Sequence, residues 1–173
     1  ASRVLIELGL RERLAPLVMA PRAIRVMAGG SGRAIVRIPL GEDAERRYGA
    51  PYWTIHRGDL QAALATAALA AQDVVLKLGI RVEEFATHVN GVTVQGRRGQ
   101  QVVDERGVAL IGADGIWSHV AAQLGRQRAP RFAHRTAWRA LVPADSVPAA
   151  FREPLVHLWL GLDAHLVHYP VKG

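Results

Sequence analysis

The stretch Leu110-Ile111-Gly112-Ala113-Asp114-Gly115-Ile116-Trp117-Ser118 carries the strongest signal in this 173-residue sequence. An apolar run predicted to be a strand (108–111) meets two glycines around a carboxylate, and a short helix is predicted over 116–124. The glycines allow close approach of a ligand to the backbone, and the start of a helix offers unpaired N–H groups to a phosphate. A carboxylate beside a phosphate is unfavourable unless it acts through water, a ribose hydroxyl or an arginine. The same residues are also compatible with a simple Asp-Gly turn.

A second junction between a strand and a helix lies earlier in the chain, at Tyr52-Trp53-Thr54-Ile55-His56-Arg57-Gly58-Asp59-Leu60. The spacing of Leu60, Leu64 and the alanines that follow predicts an amphipathic helix, whose dipole is stabilised by Asp59 in the first turn. An arginine at such a junction, here Arg57, can direct its guanidinium at a phosphate or a sugar. Taken alone, an arginine that satisfies nearby backbone carbonyls is the simpler interpretation.

A glycine-rich loop near the start of the chain resembles a nucleotide-binding turn but is better explained as a hairpin. Gly29-Gly30-Ser31-Gly32 follows a predicted strand (Ala23–Ala28), as in dinucleotide-binding turns. The third glycine of that fingerprint is missing, however, and Pro39 would interrupt the helix that must follow. We therefore predict a β-hairpin with a second strand over 34–40.

The remaining elements follow from apolar periodicity and turn residues. A helix is predicted over 1–17, a charged loop over 41–49 and a hairpin around Asn90-Gly91. Further strands are predicted over 51–55, 74–78, 81–89, 92–95, 102–104, 136–142, 156–160 and 166–171.

The composition excludes several functional classes. Half of the residues are hydrophobic, which is enough for a core, and no apolar run approaches the roughly 18 residues of a membrane span. The absence of cysteine excludes disulfides, thiolate metal sites and cysteine nucleophiles, and it fits a cytoplasmic location. No basic leader followed by an apolar block begins the chain, so no secretory signal is expected.

The charge leaves one alternative open. The chain has 22 basic against 15 acidic residues, a net charge of +7, and no acid interrupts the arginines from Arg126 through Arg128 to Arg139. This segment could bind a phosphate or an anionic small molecule, which we favour over nucleic acid as its partner.

Together, the two junctions resemble the flavoprotein aromatic-ring hydroxylases, especially the salicylate hydroxylase and 3-hydroxybenzoate hydroxylase branch. Three further stretches look like the same branch: Pro39-Leu40-Gly41, Thr136-Ala137-Trp138-Arg139 and the region from Leu158 to Val171. The resemblance implies an FAD-dependent monooxygenase that uses NAD(P)H and O2 to hydroxylate a phenolic acid. It also implies a mixed α/β fold: part of a Rossmann-like, glutathione-reductase-type FAD-binding domain, with antiparallel strands of a substrate domain.

The resemblance assigns roles to five residues. Arg57 matches an arginine that contacts FAD, and Asp114 with Gly115 matches an Asp-Gly fingerprint linked to FAD and the pyridine nucleotide. His165 and Tyr169 fall where the family places catalytic residues beside the substrate ring. Strand alternation independently puts His165 and Tyr169 on one face, and a histidine near neutrality suits deprotonation of a phenol. The same alternation points His165 and His168 apart, so no metal is expected.

Two features of the family pattern are absent from the sequence: the Gly-x-Gly-x-x-Gly turn and the later Gly-Asp-Ala motif. We therefore expect an internal fragment, with a helix remnant of the FAD domain (1–22), substrate-side strands (23–56), an FAD-binding segment (57–125) and a substrate-domain sheet (126–173). Alone it should bind FAD weakly and lack activity, and exposed sheet edges could form a homo-oligomer. The alternatives are a related flavoenzyme of halogenase or dehydrogenase type and a non-enzymatic module that binds anions or nucleic acid.

Overall fold

The computed structural model describes residues 1–126 and 129–171, so Arg128 of the arginine-rich segment lies outside the described residues. The chain forms two compact units. The first comprises Ala1–Val75 and the chain from Ala140 onward, and the second comprises Leu76–Arg139. The four-segment division expected from the sequence stays a prediction.

The elements follow one another in this order along the described residues: α1 (Ser2–Glu7), α2 (Arg11–Leu14), β1 (Val18–Met19), β2 (Ala23–Ala28), β3 (Ala34–Pro39), α3 (Glu42–Tyr48), β4 (Thr54–Ile55), α4 (Arg57–Ala70), β5 (Arg81–His88), β6 (Gly91–Arg98), β7 (Gln101–Gly107), α5 (His119–Gln123), β8 (Leu155–Leu160) and β9 (His165–His168). Two short 3-10 helices, Ala144–Ser146 and Ala149–Phe151, precede β8. No helix among the described residues is long and apolar enough to cross a membrane.

The helices of the first unit enclose a small apolar core. Leu10, Leu14 and Ala63 are buried where α2 packs against α4. Partly buried apolar side chains surround them: Leu5, Leu17, Val18, Trp53, Ile55, Leu60 and Ala67. This core therefore supports α4, the helix that begins at Arg57.

Two predictions about these helices are corrected. The helix expected over 1–17 is divided into α1 and α2, because Gly9 adopts a left-handed conformation (φ 75°) between them. The loop expected over 41–49 is instead α3, with acids in its first turn and Arg46 and Arg47 in its last turn. This charge order stabilises the helix dipole, although α3 buries only Ala44 among its residues.

The first unit also contains a mixed four-stranded sheet in the order β3-β2-β8-β9. The predicted β2–β3 hairpin is confirmed, and β8 pairs with β2 in parallel and with β9 in antiparallel orientation. A separate two-stranded ladder joins β1 to β4. Antiparallel strands on the expected substrate side are therefore present.

The second unit is built on the antiparallel meander β5-β6-β7. The predicted hairpin around Asn90-Gly91 is confirmed: Val89 and Asn90 form the turn, and Gly91 pairs with His88. Helix α5 contacts β5.

Three predicted strands are wrong: residues 74–78, 108–111 and 136–142 form no strand. A strand requires a hydrogen-bonded neighbour, and the described residues supply none to these runs, which leave Val75, Val108 and Trp138 exposed by 77%, 93% and 92%. The mixed α/β class is confirmed. Among the described strands only β2 and β8 are parallel, so these residues do not assemble a parallel FAD-type sheet.

Candidate functional site

Arg57 is the first residue of α4 and is exposed. The preceding residue, His56, has an extended backbone (φ −65°, ψ 134°) and provides no side-chain cap to the helix. A helix start without a capping side chain retains unpaired N–H groups and a partial positive charge, which favour an anion. Arg57 adds a full positive charge at the same point. The only acid in the first turn, Asp59, lies 4.0 Å from the His56 ring.

Thr54 fixes the strand that leads into Arg57. Its side chain is buried, and its hydroxyl donates to the carbonyl of Pro170 at 2.8 Å, with the carbonyl of Met19 at 3.3 Å. Pro170 directly follows Tyr169. A single hydroxyl therefore holds together the approach to Arg57 and the segment that contains Tyr169. No motif in the sequence predicted this contact.

His165 and Tyr169 lie on and just beyond the edge strand β9. In the observed register His165 pairs with Leu160, and His168 pairs with His157. Because side chains alternate along a strand, His165 and Tyr169 belong to one face and His168 to the other. His165 is exposed and Tyr169 is 45% exposed, so both side chains can reach a ligand.

An open depression of about 420 Å³ lies at the end of the β8–β9 hairpin. It is lined by Gly29, Trp159, Gly161, Ala164, His165 and Leu166. Gly29 donates its N–H to the carbonyl of Leu160 at 2.7 Å, and a Cβ at Gly29 would lie 2.9 Å from that oxygen. The first glycine of the Gly29-Gly30-Ser31-Gly32 loop thus permits close backbone packing beside His165 and forms no nucleotide turn.

Asp114, in the second unit, is bound to the start of α5. One carboxylate oxygen accepts from the Ser118 hydroxyl at 2.6 Å, and the other accepts from the N–H groups of His119 and Val120 at 2.7 and 3.1 Å. The Ser118 hydroxyl in turn accepts from the N–H of Ala121 at 3.0 Å. The N–H groups that the sequence suggested for a phosphate are therefore already paired within the chain.

These hydrogen bonds determine the charge of Asp114. Donation by Ser118, then by the backbone of Val120, lowers the pKa of the Asp114 carboxyl to about 2. The group is a carboxylate at neutral pH and cannot serve as a proton donor. Its exposed oxygens can still accept a hydrogen bond from a ligand hydroxyl. Gly115 follows in a left-handed conformation (φ 77°), which a residue with a side chain rarely adopts.

Gln123, which lies beyond the sequence motifs, connects this turn to the meander. The Gln123 amide donates to the carbonyl and accepts from the N–H of Phe85 on β5. Gly112 makes room for α5, because a Cβ there would lie 2.8 Å from the Cβ of Val120. A side-chain amide near the end of a predicted helix was the only available signal for Gln123.

The five predicted site residues are divided between the two units. Arg57, His165 and Tyr169 belong to the first unit, and Asp114 and Gly115 belong to the second. That one cofactor contacts both groups stays a prediction. Within the described residues, no group of three His, Asp or Glu side chains is arranged to hold a metal ion.

The chain is similar to aromatic-acid monooxygenases and hydroxylases and to flavin-dependent monooxygenases of known structure, which confirms the resemblance seen in the sequence. It is 41% identical over 172 residues to a 3-amino-4-hydroxybenzoate 2-monooxygenase of Streptomyces cremeus, and this match covers 99% of the chain and 42% of that protein. A 3-hydroxybenzoate 6-hydroxylase of Polaromonas naphthalenivorans is 34% identical, with 82% of the chain and 34% of the relative covered. The chain thus spans about two fifths or less of these relatives. No family model matches it.

Solved structures share the fold. The FAD complex of Klebsiella pneumoniae HpxO superposes with a TM-score of 0.72 at 20% identity, over 99% of this chain and 43% of that one. The flavin-dependent monooxygenase PieE, in complex with FAD and substrate, gives a TM-score of 0.60 at 25% identity, over 72% of this chain and 24% of that one.

Proposed function

We propose that this chain is part of an FAD-dependent monooxygenase that hydroxylates a phenolic acid with NAD(P)H and O2. The observation that supports this most strongly is the match of nearly the whole chain, at 41% identity, to an aminohydroxybenzoate monooxygenase. Relatives named for 3-hydroxybenzoate support a hydroxylated benzoate as the substrate class. FAD would supply the redox and oxygen chemistry, while the protein binds the substrate, orients it and excludes water.

Arg57 is proposed to bind the cofactor near its ribityl and pyrophosphate groups. The uncapped start of α4 and the exposed guanidinium offer positive charge at one point, as a diphosphate requires. The buried Thr54 and the core beneath α4 hold this point in place.

Asp114 and Gly115 are proposed to contribute in a different way. Because the Asp114 carboxylate is ionised and occupied by three donors, it holds the turn in shape and can accept from a ribose or ribityl hydroxyl. Gly115 allows a ligand close to the backbone. Direct contact between Asp114 and a phosphate is disfavoured by like charge.

His165 and Tyr169 are proposed as the catalytic residues on the substrate side. They share one face at the end of an exposed edge strand, and His165 borders the depression. A histidine side chain at this position can accept the phenolic proton and so activate the ring for attack. Replacing His165 by Ala should impair hydroxylation more than flavin reduction, whereas His88→Ala, in the second unit, should affect neither. Equal loss of both steps in His165→Ala would refute this role.

Exposed apolar runs at 74–78, 108–111 and 136–142 support the view that other segments complete the fold. We therefore propose that these residues alone bind FAD weakly and do not turn over substrate, and that their open edges can promote self-association. A cytoplasmic location is proposed from the cysteine-free composition.

The function is tested with a protein that carries this chain at the length of its relatives. Benzoates bearing one hydroxyl should stimulate NADH or NADPH oxidation and O2 uptake and give a dihydroxylated product. Halogenation without hydroxylation, or oxidation of the substrate without O2 uptake, would instead identify the halogenase or dehydrogenase alternative. Salt-dependent retention on DNA together with no effect of FAD on thermal stability would favour the anion-binding module.

A further inference from the structure

His157 occupies the centre of the four-stranded sheet and is 1% exposed. Neither of its ring nitrogens has a hydrogen-bond partner among the described residues. Leaving a buried polar group unpaired costs about 1–3 kcal/mol. Such a group in a folded protein therefore calls for an explanation.

The imidazole of His157 stacks on that of His168, its register partner on β9. The ring centroids are 4.6 Å apart and the planes differ by 9°. Phe151 meets both rings edge-on, at 5.7 Å from His157 and 5.4 Å from His168. Trp159 lies next to the pair, nearly parallel to His168 at 6.4 Å. We call His157 and His168 the histidine stack.

The surroundings of the histidine stack oppose positive charge. From β2, Arg25 is the register partner of His157 on its other side, and Arg37 of β3 continues the same row. Glu153, ahead of β8, is the acid that favours protonation of His157, but it also forms an ion pair with Arg22 at 3.8 Å. Burial, followed by the charges of His168 and Arg25, lowers the pKa of His157, and burial lowers the pKa of His168. Both rings are therefore neutral at pH 7.

We infer that the neutral histidine stack positions β9 on β8, and that its protonation at mildly acidic pH releases β9 from the sheet. Three features support this: the unpaired buried nitrogens of His157, the parallel contact between the two rings, and a row of arginines that would repel an imidazolium. β9 has four residues and lies at the sheet edge, so few other contacts retain it.

The inference extends to the proposed active site. His165 and Tyr169 are on or adjacent to β9, so the histidine stack acts as a positioning device for them. This extension depends on the proposed function, whereas the release of β9 does not. The pKa values of His157 and His168 are lowered in the folded state from the ordinary histidine value of 6.5. The stack therefore makes its full contribution to stability at pH values above 6.5. That contribution declines as the pH falls below 6.5.

The release of β9 is measured by NMR on the flavin-free form of a protein that carries this chain at the length of its relatives. Hydrogen exchange of the β9 amides, corrected for the intrinsic rate, is compared at pH 8 and pH 5, together with titration of the ring signals. Below pH 6.5 the opening equilibrium of β9 should increase by up to about tenfold per pH unit for each ring that is protonated only when β9 is open. The amides of β6, in the other unit, should show no such increase.

Two variants separate the stack from a general effect of acid. The double variant His157→Phe with His168→Phe keeps two stacked rings without titration and should lose the pH-dependent opening of β9. The control variant His88→Gln removes a histidine of the second unit and should retain the pH-dependent opening of β9. Equal opening at both pH values, or unchanged pH dependence in the double variant, would overturn the inference. If the double variant does not fold, the wild-type ring signals decide, because titration of His157 at the ordinary value also overturns it.

Discussion

Truncation of Leu14 tests whether the small core supports the helix that begins at Arg57. Leu14, the last residue of α2, is fully buried in the core that α2 forms with α4. Leu14→Ala removes three carbon atoms, which corresponds to about 2.4 kcal/mol of lost transfer free energy at about 0.8 kcal/mol per group. A residual cavity adds to this cost. Most of the surrounding side chains are only partly buried and can close around the gap, so we expect a loss of about 2–3 kcal/mol.

Urea unfolding of this chain, followed by circular dichroism, provides the measurement. Leu69→Ala on α4 is the matched control, since the same atoms are removed from a side chain that is 68% exposed. Its cost should stay within about 0.5 kcal/mol. The reasoning is refuted if the two variants are destabilised equally, because the contact between α2 and α4 would then not support the first unit.

Two further predictions concern the turn around Asp114. Gly112→Ala should destabilise the second unit by about 1–3 kcal/mol, because the added Cβ would overlap Val120. Gly30→Ala is the control and should cost less, because its methyl group enters open space. Equal shifts of the melting temperature in the two variants would contradict this prediction. The pKa of Asp114 is about 2, against an ordinary value of 3.8. Its contribution to the free energy of unfolding is therefore complete above about pH 4 and is lost as the pH falls toward 2. The amide resonance of Val120 should shift as Asp114 titrates. If this resonance does not change between pH 4 and pH 2, the hydrogen bond from Val120 to Asp114 does not form.

Local sequence patterns predicted the elements whose determinants lie close together in the chain. The β2–β3 hairpin, the start of α4 at Arg57 and the hairpin at Asn90 each depend on residues within a few positions of one another. The strands expected over 74–78 and 108–111 were wrong because apolar content gives a strand only where a neighbour pairs with it. Helix α3 was missed because its stability comes from charge order and it has no apolar stripe.

In the candidate site, too, the features that were predicted depend on residues close together in the chain, and the features that were missed depend on tertiary contacts. Alternation along β9 was enough to place His165 and His168 on opposite faces, since a strand fixes that geometry locally. The hydrogen bonds from Ser118, His119 and Val120 to the Asp114 carboxylate were not predicted, because the motif indicates an acid beside a helix without showing which donors the acid reaches. The burial of His157 depends on pairing with strands far away in the chain. Its position within the apolar run from Leu155 to Leu160 was the only sequence signal.

Flavin retention tests the central claim most directly. In a protein that carries this chain at the length of its relatives, the bound-flavin absorbance is compared between Arg57→Ala and Arg13→Ala, an exposed arginine of α2. Loss of a charge-assisted hydrogen bond costs about 1.5–3 kcal/mol, so Arg57→Ala should weaken FAD binding about 10- to 150-fold. Arg13→Ala should retain the cofactor. Unchanged FAD affinity in Arg57→Ala would contradict the assignment of this helix start to the flavin site.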